Sequence, residues 1–484
     1  MNKHFTFISF ITILSFLFGL SVPARLIAQN QDVSLVIHLR GVSESKISLM
    51  SLSGTRLIKP ILEVNGIKNG ETTKLTVPKS SLPGEFVLRF DYKEKKESTP
   101  YPSEKSLIIN NQDLELWVSP IYCNNSDSTW YQKGEKENSA FATFSKENSK
   151  QKEKIGLLQQ FLRNYDDTQS KFYKSGIEEY EKRRNDYNQW LDKQVKQDKA
   201  MFVSSLYRFQ FVPQIPWDGT ETERLLSVIA HYFDGIDLMD PLLIRTSDLN
   251  KWMDNYVNLY GQMATTVALR DSLLPAAAHT AIEKAKLGNP LVYGWMVDYF
   301  YKGFESNNIP SGMKVLEPYT NDPNCLTSKR MEIDRRLKGM QTLVAGSIAP
   351  NIVLETEPGK MFDLTKYKPS TPYTLLIFWS ADCGHCVETV NALFPWSQQA
   401  GNKTKIAVVA ISLDETETEM KAWQQKTSTL NGWEHLRAKE GVRSKVASDY
   451  FVLATPVMIL LDSKTKKIVA LPDTLAQIEA LLNK

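Results

Sequence analysis

The chain has 484 residues and a mass of 55.1 kDa, a length that predicts about two to four domains and not a single core. Hydrophobic residues make up 42%, charged residues 23% and aromatics 10%, which excludes a wholly disordered, collagen-like or multi-spanning membrane chain. Lys plus Arg number 58 against 55 Asp plus Glu, a net charge of +3, so no charge imbalance points to a nucleic-acid partner.

Residues 1–28 open with Lys3 and His4, run apolar from Phe5 through Leu20 and reach small residues at Ala24 and Ala28. This layout predicts a signal peptide and an exported body, with an uncleaved N-terminal anchor as the alternative. No Cys follows the apolar run closely, so a lipidated N-terminal cysteine is not expected.

Residues 29–132 read as short strands forming an antiparallel β-sandwich. Val33, Leu35, Ile37 and Leu39 alternate with other residues, as do Phe86, Leu88 and Phe90, and Leu114, Leu116 and Val118. Gly54, Gly66, Gly70 and Pro83-Gly84 fall between runs, where turns need permissive or preset backbone. No titratable cluster stands out, so this module reads as structural or docking.

Residues 133–340 change to helical texture. Leu158, Phe161, Leu162, Tyr165, Phe172, Ile177, Tyr180, Tyr187, Leu191 and Val195 recur at helical steps and read as one apolar stripe, a partner groove or, the better prior, core. Pro213, Pro216 and Gly219 end that section. Helices are expected near 221–233, 249–274 and 276–286, with Pro310, Pro318 and Pro323 marking loops.

Residues 341–484 alternate strand and helix signals. Tyr373–Trp379 and Ile406–Ile411 are continuous apolar runs of the kind that form buried parallel strands. Asp414 with Glu417 reads as a capping box. Val457–Leu461 and Ile468–Leu471 read as a closing hairpin, followed by a helix capped by Asp473.

Of four cysteines, Cys123 and Cys325 stand alone, as buried thiols or as an interdomain disulfide, whereas Cys383 and Cys386 are separated by two residues. A close pair in an exported chain that lacks a second Cys or His pair points to redox chemistry and not to zinc. His38, His231, His279 and His435 show no metal-site spacing, so neither a metal nor an organic cofactor is expected. A helix starting at the pair would place Cys383 at its N-terminus, where free N–H groups favour a thiolate nucleophile. Cys386, one turn later, is placed to resolve a mixed disulfide.

The segment Phe378-Trp379-Ser380-Ala381-Asp382-Cys383-Gly384-His385-Cys386 resembles the thioredoxin superfamily, and more closely its exported TlpA-like branch. The likeness covers about the last 140 residues. It includes the upstream Gly346–Pro350 segment and Thr455-Pro456, which lies where the family carries its cis-proline. The resemblance implies a C-terminal α/β thioredoxin-like fold, catalytic Cys383 and Cys386, and redox tuning by Trp379, Asp382, Gly384 and His385. It also implies contact of Thr455 and Pro456 with an extended substrate peptide. A protonated His385 would make the disulfide more oxidising, while the Asp382 carboxylate, where many thioredoxins carry Trp, works the other way. The family's buried acid is Ile377 here, leaving His385, Glu388 or water as candidate proton acceptors for Cys386.

The expected function is therefore an exported thiol-disulfide oxidoreductase in a Gram-negative periplasm, acting on protein disulfides or dithiols as a reductase. It would exchange electrons with a membrane-linked donor or acceptor. The alternative is a binding or assembly protein that uses the sandwich and helices to dock a partner. A peroxidase-type reading has only Ser380, three residues before Cys383, in its favour, and Leu376 stands where such enzymes place a proline.

Overall fold

The computed structural model describes residues 31–53, 56–57, 60–123, 125, 128–357 and 359–483. The expected leader and the turn at Gly54 lie outside the described residues. The chain divides into two compact units, Met1–Lys251 and Trp252–Lys484.

The first unit opens with strands β1 (Val33–Leu39), β2 (Glu44–Ser53), β3 (Arg56–Leu57), β4 (Leu62–Lys68), β5 (Thr72–Val77), β6 (Gly84–Lys93), β7 (Tyr101–Ile109), β8 (Leu114–Val118) and β9 (Thr129–Tyr131). They form one sheet in the order β5-β1-β8-β9 and a second in the order β3-β2-β6-β7, with β4 also paired to β2. The alternating apolar residues of both sheets fill one core, among them Leu35, Ile37, Ile47, Phe86, Leu88, Phe90 and Leu116. The sandwich is not uniformly antiparallel as expected, because β1 and β8 run parallel. They can do so because the chain crosses through the other sheet between them. Gly66 lies inside β4 and not between strands: its φ of +68° sits beside the register shift against β2.

Helices α1 (Glu137–Asn164), α2 (Lys171–Gln197), α3 (Val203–Tyr207) and α4 (Glu221–Ala230) follow. The single predicted stripe is in fact two helices, split by the turn at 165–170. Phe172 is 63% exposed, and Tyr173, absent from the predicted stripe, is buried instead, its hydroxyl donating to the carbonyls of Leu162 and Trp217 at 3.1 Å each. Tyr180, Tyr187 and Leu191 are buried as core.

Helices α5 (Asp248–Met263), α6 (Val267–Lys286), α7 (Pro290–Ser306), α8 (Pro310–Thr320) and α9 (Arg330–Thr342) come next. Two prolines expected to break helices lie inside them, Pro275 in α6 and Pro318 in α8. Pro275 has no N–H for the carbonyl of Asp271 four residues earlier. The Ser311 hydroxyl donates to that carbonyl instead, at 2.6 Å, so the helix continues. Pro310 opens α8, where its missing N–H costs nothing.

The rest of the second unit contains β10 (Val353–Glu357), β11 (Lys360–Asp363), β12 (Tyr373–Trp379), α10 (Gly384–Ser397), α11 (Ala400–Lys403), β13 (Ile406–Ser412), α12 (Glu417–Thr427), β14 (Glu434–Arg437), α13 (Lys445–Asp449), β15 (Val457–Asp462), β16 (Ile468–Ala470) and α14 (Leu475–Leu482). Five strands order as β14-β13-β12-β15-β16, the first three parallel and the last two antiparallel. The apolar run of β12 is explained by burial on both faces. Leu376 and Phe378 enter one core and Leu375, Ile377 and Trp379 the other. The 346–349 segment binds the start of β16 through Gly346 N–H to Ile468 O at 2.7 Å and Ile468 N–H to Ser347 O at 2.8 Å, and the turn before it through Ala349 N–H to Lys466 O at 2.9 Å.

Two caps differ from expectation. The capping box of α12 is Thr416 with Glu419, not Asp414 with Glu417, and Thr474, not Asp473, caps α14. Among the described residues no helix is long and apolar enough to cross a membrane.

Candidate active site

The C-terminal ends of parallel strands β12 and β13 lie side by side, a place where open α/β sheets put their ligands. The chain leaves β12 at Trp379, turns through Ser380–Asp382 and enters α10 with Cys383 as its N-cap. Cys383 has an extended backbone, φ −93° and ψ 110°, and its Sγ accepts the Cys386 backbone N–H at 3.3 Å. First-turn N–H groups have no intrahelical partner and carry the positive end of the helix dipole, so the turn presents donors to a sulfur anion.

Cys383 is half-buried, whereas Cys386 is fully buried among Trp379, Ile377 and Val390. Burial pushes the Cys386 thiol from the ordinary 9.0 up to about 11, and the Cys383 sulfur beside it acts in the same direction, while Thr455 and the Ser380 backbone oppose it. Both are free thiols in this structure. One sulfur is accessible and the other enclosed, the asymmetry that sequential attack and resolution require.

The peptide bond Thr455-Pro456 is cis, and the Cys383 thiol points at the Thr455 carbonyl, 3.7 Å away. The expected residues Cys383, Cys386, Thr455 and Pro456 therefore converge. Trp379 is a fully buried core residue under the pair. Gly384 begins α10, and a Cβ there would meet nothing within 4 Å. Asp382 is exposed, its N–H donating to Ser380 Oγ at 3.2 Å. His385 and Glu388 have side chains 74% and 82% exposed, with Nδ1 3.8 Å from Oε2, so solvent screens their interaction and neither is enclosed with Cys386.

Sequence reasoning missed the role of Asp414. This side chain, 1% exposed, accepts from Ser380 Oγ at 2.6 Å, Ala381 N at 3.0 Å and Ser412 Oγ at 2.7 Å. The signal was a carboxylate two residues past the buried strand β13, a position easily read as a helix cap. The Ser380 hydroxyl donates to Asp414 and accepts from the Asp382 N–H.

Residues 372–468 match the family model described as thioredoxin-like. This domain is thioredoxin-like. Among solved structures, a thioredoxin-like protein from Bacteroides caccae is 20% identical, covering 56% of this chain and 97% of that one, with a TM-score of 0.38. A thiol-disulfide oxidoreductase from Bacteroides fragilis is 26% identical over 28% of this chain and 99% of its own, with a TM-score of 0.24. The thioredoxin domain of a thiol-disulfide oxidoreductase from Bacteroides vulgatus is 26% identical over 29% and 99%, with a TM-score of 0.25. No curated protein matches the chain.

Outside the thioredoxin-like domain, Cys123 lies in the sandwich core, its thiol donating to the Glu104 carbonyl at 3.3 Å. Cys325 is buried and its thiol is pushed up to about 11, chiefly by burial. Both are free thiols. Among the described residues no group of three His, Cys, Asp or Glu side chains could hold a metal ion.

Proposed function

We propose that the protein is an exported thiol-disulfide oxidoreductase that reduces disulfides of protein substrates in the periplasm. The observation that carries this reading is the accessible Cys383 at a helix N-terminus with the enclosed Cys386 one turn on, inside a thioredoxin-like domain. The residues after the apolar leader and the TlpA-like arrangement of motifs support export and the reducing direction.

The Cys383 thiolate attacks one sulfur of a substrate disulfide; that S–S bond breaks, a mixed disulfide forms and the other substrate sulfur leaves as a thiolate that takes up a proton. Cys386 then loses its proton and attacks the Cys383 sulfur. The mixed disulfide breaks, the second substrate thiol is released and a Cys383–Cys386 disulfide remains. Two electrons and two protons have passed to the substrate, and a dithiol donor linked to the membrane returns them. The cis Thr455-Pro456 segment offers main-chain groups to an extended peptide beside Cys383. Trp379, Asp382, Gly384 and His385 tune the couple. No organic cofactor or metal takes part.

The test is dithiothreitol-driven reduction of insulin disulfides by the full chain. Cys383→Ser should abolish it, and Cys386→Ser should leave a covalent mixed disulfide visible on a non-reducing gel. Undiminished turnover by Cys383→Ser would sink the assignment, whereas unaltered partner capture and physiological effect in that variant would favour the assembly-protein alternative.

A further inference from the structure

The thioredoxin-like domain buries one carboxylate at the mouth of its cysteine pair. Asp414 accepts hydrogen bonds from three donors, two of them on Ser380 and Ala381, the third and second residues before Cys383. The chain of bonds continues to the cysteine itself. Ser380 Oγ accepts from Asp382 N at 3.2 Å, and Ser380 O accepts from Cys383 N at 3.3 Å. Leu413 N donates to Trp379 O at 2.9 Å, so the ends of β12 and β13 are also tied through their backbones. Arg437, the nearby cation, spends its Nε on the backbone carbonyl of Asp414 and not on the carboxylate. A neutral acceptor would close the same turn without the desolvation cost of a buried charge, so the charge itself calls for an account.

We propose that Asp414 is a positioning residue of the redox site: it fixes the Ser380–Cys383 turn, and its charge biases the cysteine pair toward the disulfide. The inference rests on the oxidoreductase reading above. Cys383 reacts as a thiolate, and the buried Asp414 carboxylate, bonded to the residues two and three positions before it, opposes negative charge on that sulfur. A pair biased toward the disulfide gives up electrons readily, the direction a reductase needs.

The experiment equilibrates the full chain with glutathione buffers and traps free thiols. In that equilibrium the protein disulfide and two glutathione thiols exchange for the reduced pair and one glutathione disulfide; two electrons pass to the pair, with two protons where Cys383 is released as a thiol and with one where it is released as a thiolate, the form that the Asp414 charge opposes. Asp414→Asn keeps the shape and removes the charge; its equilibrium should move about tenfold toward the dithiol, ~30 mV for a two-electron couple. Ser380→Ala keeps the charge and cuts the link to Asp382, and should slow attack by Cys383 on a small aromatic disulfide several-fold. A folded Asp414→Asn whose equilibrium stays within about twofold of the wild type overturns the proposal. If Asp414→Asn does not fold, Ser380→Ala decides, and an unchanged attack rate overturns it. A wild-type pair that never forms a disulfide in these buffers would instead overturn the oxidoreductase reading.

Discussion

The backbone N–H of Cys386 points at the Sγ of Cys383 across 3.3 Å, so the residue cast as resolver steadies the other sulfur through its amide while its own thiol stays buried. That division of labour has a kinetic signature. With the Cys386 thiol pushed up to about 11, little of it is thiolate near neutrality. Release of a preformed mixed disulfide at Cys383 should therefore accelerate roughly tenfold per pH unit up to that range. Stopped-flow measurement of single-turnover release between pH 7 and 10 checks this, and a flat profile would contradict it.

The same burial predicts a pH-dependent stability. The folded value of Cys386, about 11, lies above the ordinary 9.0, so the folded protein binds more protons than the unfolded chain between the two. Stability is fully present below about pH 9 and falls as pH rises toward about 11, by on the order of 2 kcal/mol. Urea unfolding of the reduced wild type should show this loss relative to reduced Cys386→Ser, in which the titrating thiol is absent.

Ser311 serves α6 by completing the bond that Pro275 cannot make. Ser311→Ala leaves the Asp271 carbonyl without its partner and should cost about 1–3 kcal/mol. Pro275→Ala in the same background restores an N–H and should recover part of the loss. A double-mutant cycle from denaturation midpoints measures the coupling.

Two glycines make opposite predictions. A Cβ on Gly294 in α7 would stand 2.2 Å from the carbonyl carbon of Leu326, so Gly294→Ala should cost about 3 kcal/mol or more despite the better helix propensity of alanine. A Cβ on Gly384 meets nothing, and Gly384→Ala should leave the melting temperature nearly unchanged, within about 0.5 kcal/mol of stability.

The thioredoxin-like domain was the most legible part of the sequence, because β12 is apolar on both faces and the Cys383–Cys386 pair follows it directly. Local signals failed where tertiary partners overrode them. Pro275 looks like a helix breaker until Ser311 is brought to Asp271, and Phe172 and Tyr173 exchange roles because the turn before them resets the helical phase. The parallel β1–β8 pair was invisible because side-chain alternation is the same for either strand direction. Asp414 carries both the lesson and its reason: its partners Ser380 and Ala381 lie more than thirty residues away, beyond the reach of any capping pattern.

The hydrogen bonds that tie Gly346, Ser347 and Ala349 to Lys466 and the start of β16 do more than guide the chain into the domain. An open strand edge templates pairing with other chains, and here that edge is sealed by the polypeptide's own upstream segment. A fragment cut to residues 372–484 keeps β16 but would expose the row of backbone groups that 346–349 now occupies, and should self-associate at concentrations where a fragment of residues 344–484 stays monomeric.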